Sequence, residues 1–574
     1  MRTPVLLSVA LALVGVAPLL AQTPAPPTGR PTKNDTLAKD PFFGASEGAT
    51  GTENPLAYDE GLALGTVQVD QGPNAGTLVR VTNTGRAPMT LAAPRLSGSD
   101  TSDFAVEIES SSLSAAMAAE GRLPRLPAPF RRLEGAGGPG LALGIQASEL
   151  ADLRSLREVA LHDFPLADLG PVTLVLRRRE LPIRADSKLV IDGREVVGGF
   201  QRLVGELQIW SGHVSGMAGS RVFLAVDGSA ARGFVELPSE FDRWIYVVSD
   251  GAGQIRLVRD RELDALGLRQ PADVCAGQLL APGRSSLART PPQPHGLPTA
   301  ALTATDCRLA IETDWQLYQK FNSSALLTSY VTGLVAAASD QYFMDVQSTL
   351  SIAYLGLHTT SNDGWTSQEN GGGTYELLEE FRAVWGTTWP AEAELAHFLS
   401  GADLGGGIAY VDVLCHQEYG FGVSANLFAG IDWPNWTGAP GDFWDYLVFT
   451  HELGHNFGSW HTHDYCPPLD DCASNCTGLT SCPRGTIMGY CHGCPGGVSN
   501  VDLRFHPVTA EIIRERVNAS CMDATVLRPG DFVQYRVRFN PWLTTGAKSA
   551  ALELEHDAPN ALRPFRVQLS GTAN

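Results

Sequence analysis

The segment HELGHNFGSWH at residues 451–461 constrains this chain more than any other stretch in it. His451 and His455 are four apart, so on a helix both imidazoles leave from one face. Gly458 lets the chain turn sharply and brings His461 back toward the same point. Three neutral imidazoles suit zinc and leave a fourth position open for water. Glu452, next to His451, reaches that water without being a ligand. Zinc so held acidifies water toward a pKa of about 7 and polarises a carbonyl. The expected metal ligands are therefore His451, His455 and His461, and the expected general base is Glu452.

The chain has 574 residues, enough for three or four domains, and its 44% hydrophobic content permits large cores. Sixty glycines and 37 prolines point to many turns. A formal charge of −20 excludes nucleic acid as the main partner, because phosphate binding needs a basic face. Arg2, an apolar run over 5–20 and the small Ala21 read as an export signal over 1–21, which places the protein outside the cell, in a periplasm or at a cell surface. No later stretch is long and apolar enough for an integral membrane segment after signal removal. Ten cysteines, six of them between Cys466 and Cys494, then read as disulfides.

Composition divides the chain further. Residues 22–57 read as a flexible leader, and 281–305 as a linker with Pro-Pro and no hydrophobic period. Strand alternation marks 61–107, 157–262 and the stretch after Cys521. From Cys307 helices and strands alternate, the pattern of an α/β domain. Leu327, Val331, Leu334, Ala338 and Tyr342 keep a helical period; 346–357 and 408–414 read as strands. The metal motif sits on an expected helix over 442–457, and a last helix near 507–518 turns Val508, Ile512 and Val517 inward.

The motif HExxHxxGxxH followed by GTIMGY, with Met488 lying 27 residues after His461, resembles the metzincin zinc endopeptidases, and within them the reprolysin (adamalysin) group. The likeness runs from about 305 to 521 and includes HELGHNFGSWHTH and FHPVTAEIIRERVNASC. It implies a catalytic domain over 306–524, zinc as the single catalytic metal, protein or peptide substrates, and Met488 packed beneath the histidines. It also implies that IAYVDVL at 408–414 is the edge strand that pairs with extended substrate. Two departures stand out: Thr462 and His463 precede Asp464, and Tyr490 resembles the metal-approaching tyrosine of astacins and serralysins, a candidate transition-state donor. His463 itself reads as a solvated neighbour.

Residues 157–262 resemble a reprolysin propeptide, most closely at WSGHVSGMAGSRVFLAVDG, which implies a propeptide-like β-rich domain over 108–280 and a latent zymogen, with an independent β domain as the alternative. Cys275 is a candidate cysteine switch, with a disulfide, for example to Cys307, as the alternative. Cys491-His492-Gly493-Cys494 invites a second zinc, but nearby cysteines offer oxidation partners. Asp470 and Asp471 leave room for calcium, although such residues more often just face water. The two ends, 58–107 and 525–574, resemble halves of a choice-of-anchor (ASH-type) immunoglobulin-like β-sandwich. Each half is too small to bury a core alone, so the expected fold is one sandwich split around the propeptide and protease, a candidate for cell-surface or matrix contact. A catalytically silent binding protein that uses this sandwich is the alternative to an enzyme.

Overall fold

The computed structural model describes most of residues 123–262, 305–427 and 441–518, the strand at 275–280, and strands within 62–109 and 523–573. The export signal, the leader and all but the end of the linker lie outside the described residues. The chain forms two compact units: Met1–Ser112, His295–Thr305 and Ala524–Asn574 in one, Leu113–Pro294 and Asp306–Asp523 in the other.

The larger unit holds two large sheets and a short two-stranded ladder, Gly485–Thr486 with Val501–Asp502. Five consecutive strands of the first, Leu207–Val214, Arg221–Asp227, Ala230–Glu236, Trp244–Ser249 and Ile255–Arg259, form an antiparallel meander within a ten-stranded sheet. These strands read as nearly unbroken apolar runs because both faces are covered. Trp244, Tyr246 and Val248 join one core cluster, while Ile245 and Val247 join another on the opposite face. The first cluster is shared with Leu327, Val331, Leu334, Ala338 and Tyr342 of helix α1 (Ser324–Val346). Residues Leu327 to Ala336 of this helix are all buried, so its middle is wrapped on every side. Here the ten-stranded sheet, drawn from the propeptide-like region, supplies part of that wrapping.

The second sheet carries the metal motif's neighbours. Its strands are β1 (Ile183–Ile191), β2 (Arg194–Glu195), β3 (Cys275–Leu280), β4 (Thr305–Thr313), β5 (Ser348–Leu357), β6 (Leu395–Leu399), β7 (Gly407–Val411) and β8 (Phe421–Ser424). They run in the order β2-β1-β5-β4-β6-β8-β7-β3. β7 is antiparallel to β8, whereas β1 is parallel to β5, β4 to β6 and β6 to β8. Both flanks of this sheet come from the propeptide-like region. In particular β7, expected as a free edge, is covered: β3 pairs with it in parallel, Cys275 opposite Gly407 and Leu280 opposite Val411. Non-local parallel pairing of this kind leaves no mark in either strand's own sequence.

Besides α1 and the short helix Trp315–Phe321, the domain has α2 (Thr374–Trp385), α3 (Gly441–Asn456) and α4 (Pro507–Asn518). On α2, Leu377, Leu378 and Phe381 are buried as one face. On α4 the buried residues are Thr509, Ala510, Ile513 and Val517; Val517 points inward as expected, whereas Val508 and Ile512 are only half-buried. Tyr330 of α1 donates to Asp445 of α3 at 2.6 Å, and Tyr342 donates to the Thr450 carbonyl at 3.1 Å.

In the smaller unit, strands from the two ends of the chain interleave. Phe532–Phe539 lies between Thr77–Thr82 and Phe104–Glu109, antiparallel to both. In a second sheet Leu62–Val67 runs parallel to Phe565–Ala573, which pairs with Gly546–Leu554, itself paired with Arg95–Ser97. Phe104 and Phe539 meet at 5.1 Å, and Val537, Leu552 and Leu569 are buried. Because the middle strand of the three comes from the C-terminal segment, deletion of 524–574 is expected to abolish amide protection at 77–82 and 104–109 in hydrogen exchange; retained protection there would show that the N-terminal strands stand alone.

Candidate metal centre

Helix α3 ends where the motif requires it. Gly458 adopts φ +99°, a backbone conformation that strains other residues, and its amide bonds to the His455 carbonyl at 2.8 Å. The chain then doubles back through Ser459 and Trp460 to His461. The Nε2 atoms of His451 and His455 lie 3.1 Å apart, as do those of His455 and His461. Two nitrogens each about 2.05 Å from a tetrahedral zinc lie roughly 3.3 Å apart, so the spacing fits that ion.

The far nitrogens are all engaged. His451 Nδ1 lies 2.7 Å from the Ile487 carbonyl, His455 Nδ1 lies 2.8 Å from the Ser459 carbonyl, and His461 Nδ1 lies 3.2 Å from Asp464 Oδ2. An acceptor at Nδ1 fixes the tautomer with its proton there and turns the Nε2 lone pair to the metal. All three rings are buried, and burial first, then neighbouring imidazoles, holds their pKa values well below the usual histidine range. They are therefore neutral, the form that binds metal.

Glu452 is wholly buried beside them, and β7 packs against it so tightly that a Cβ on Gly407 would fall 2.4 Å from its Oε1. Met488 is buried under the helix: a Cβ on Gly454 would lie 2.4 Å from its sulfur. Asn456 ties the helix end to the sheet, donating to the carbonyls of Tyr410 and Phe421 at 2.9 and 3.0 Å. The Tyr490 ring stands 4.6 Å from that of His461 and 6.3 Å from that of His451. His463 is not a solvated neighbour: it is buried and stacked on His461 at 5.0 Å with the rings 7° from parallel, because Tyr490 closes over it at 4.7 Å.

The cysteine-rich segment is bridged Cys466–Cys476, Cys472–Cys491 and Cys482–Cys494. Cys491 and Cys494 are thereby removed as ligands for a second zinc. Cys415 is disulfide-bonded, whereas Cys307 is a free buried thiol, so no Cys275–Cys307 bridge forms. The side chain of Cys275 lies outside the described residues. The Asp470 carboxylate accepts from the Thr462 hydroxyl and the Cys472 amide; the Asp471 carbonyl accepts from the Ser481 amide at 3.0 Å, and the Asp471 carboxylate from the Ser481 hydroxyl at 3.3 Å.

Sequence reasoning missed the orienting groups. Two are backbone carbonyls, which no letter records. The third, Asp464, was visible only as a displaced position in HTHD. Asp464→Ala is expected to weaken zinc affinity about 10–100-fold in a chelator competition, with the fold retained by circular dichroism. Unchanged affinity would show that His461 needs no acceptor.

Residues 303–500 match the family model Reprolysin_5, described as metallo-peptidase family M12, which spans about a third of the chain. The match supports a zinc-dependent metallopeptidase acting on protein substrates. No curated protein matches the chain. A solved structure titled "Structure of a chaperone-substrate complex" is similar at 11% identity and a TM-score of 0.22, over 51% of this chain and 38% of that one. Among the described residues no helix is long and apolar enough to cross a membrane. The disulfides are consistent with an extracellular protein.

Proposed function

We propose that the chain is a secreted, reprolysin-like zinc endopeptidase made in a latent form, with Glu452 as its general base. The observation that carries this reading is the set of three buried imidazoles converging at 3.1 Å, each held from behind, with Glu452 next to the first. When bound, zinc supplies Lewis acidity, lowering the pKa of a water toward about 7 and polarising a peptide carbonyl. His451, His455 and His461 hold the ion. The Glu452 carboxylate takes the proton of the attacking water and returns it to the departing amine. The packing of the Tyr490 ring against His461 supports reading Tyr490 as the donor toward charge that develops on the carbonyl oxygen.

Glu452→Gln keeps the shape of the side chain and removes the base. Cleavage of a casein or peptide substrate is expected to fall about 10²–10⁴-fold with zinc content unchanged, and a chelator is expected to abolish the wild-type activity. Retained cleavage in Glu452→Gln would remove the assigned mechanism, and a wild-type chain that cleaves nothing even after it has been cut within 281–305 would favour the binding-protein reading.

Latency is supported by the place of β3. It occupies the hydrogen-bonding edge of β7 that an extended substrate would use, and its first residue, Cys275, is in register with Gly407, the residue packed on Glu452. Cleavage within 281–305 is expected to raise activity, because it frees β3 to leave. Cys275→Ala is expected to be active before any cleavage; full latency in that variant would leave strand pairing, without the thiol, as the block.

The interleaved strands of the two end segments support reading 58–107 and 525–574 as one immunoglobulin-like sandwich, suited to cell-surface or matrix contact. Cutting the linker then leaves the N-terminal strands attached by pairing.

A further inference from the structure

We infer that the ten-stranded sheet is a permanent support of the metal centre, and that Glu236 is a positioning residue acting through Arg504 on His451; this rests on the zinc-site reading above. Glu236 closes the strand Ala230–Glu236 and its side chain is wholly buried. Its carboxylate meets three guanidiniums: Arg243 at 2.5 Å, Arg504 at 3.1 Å and Arg221 at 3.5 Å. Arg221 and Arg243 belong to the sheet region. Arg504 belongs to the loop that follows the methionine turn. Its carbonyl accepts from the Ile487 amide at 3.1 Å, and the Ile487 carbonyl is the acceptor 2.7 Å from His451 Nδ1. Three links thus separate a carboxylate in the propeptide-like sheet from a metal-facing imidazole.

Parallel links hold the same loop. Arg243 donates to Asp502 at 2.8 Å, and Arg484 donates to the same oxygen at 2.7 Å. Asp502 is in register with Thr486 in the short ladder that carries Ile487. Arg221 donates to the Leu503 carbonyl at 3.3 Å and to Gln341 of α1 at 2.9 Å. The Phe505 amide donates to Asp345 of α1 at 2.6 Å. Stripping the sheet away would leave Arg504 without its buried carboxylate and α1 without part of its apolar cover. Activation therefore moves β3 and the linker, and the sheet stays.

The test uses the full-length chain, with zinc affinity read by chelator competition, the visible spectrum of the cobalt(II)-substituted protein, and the melting temperature in chelator. Glu236→Gln and Arg504→Gln are compared with Asp340→Asn, which breaks the Arg179–Asp340 pair between the same sheet and α1. Arg504→Gln carries the test if Glu236→Gln does not fold, because Glu236 then keeps Arg243. The first two variants are expected to bind zinc about tenfold or more weakly and to alter the cobalt spectrum. Asp340→Asn is expected to lower the melting temperature and leave both metal readouts unchanged. Wild-type zinc affinity and cobalt spectrum in Arg504→Gln, or equal weakening in Asp340→Asn, would overturn the inference. A wild-type chain that binds no zinc would instead overturn the metal-site reading beneath it.

Discussion

An imidazole serves a metal only while it is neutral and only while its other nitrogen is held. In this protein those two conditions are met three times within one small volume, and much of the surrounding fold exists to meet them. Burial keeps His451, His455 and His461 neutral. Their three acceptors come from three different pieces of local structure: Ser459 from the helix stop at Gly458, Asp464 from the turn after His461, and Ile487 from the methionine turn. Moving any one of those pieces turns a ring away from the common point.

Those local pieces depend in turn on distant parts of the chain. Helix α3 is bound to α1 through Tyr330 and Tyr342, and α1 is buried on every side from Leu327 to Ala336. It therefore needs cover from both the catalytic sheet and the ten-stranded sheet. The region that resembles a propeptide is thus joined to the protease in three ways: through the shared core, through β1 and β2 at one flank of the catalytic sheet, and through β3 at the other. These joints differ in kind. Two antiparallel neighbours and a full apolar face hold the meander, whereas β3 is a single six-residue strand at an edge.

What the sequence made legible was local and periodic. The expected helix over 442–457 lies at Gly441–Asn456, and the helical positions from Leu327 to Tyr342 are all buried. The strand expected from 346 begins at Ser348, because α1 continues to Val346 and turns at Gln347 in the left-handed region. The four site residues could be named because their chemistry lies in their own side chains and spacing. The rest was hidden for physical reasons. Carbonyl acceptors carry no letter. The burial of His463 depends on Tyr490, 27 residues away. The cover on β7 comes from a strand more than 120 residues earlier, and parallel pairing between such distant segments leaves no short-range signal.

The most direct measurement of the central claim is zinc K-edge X-ray absorption on the purified full-length protein, together with its metal content. The account predicts one zinc per chain with three imidazole nitrogens at about 2.0–2.1 Å. A protein without zinc, or a metal surrounded by two or more sulfurs at about 2.3 Å, would contradict it.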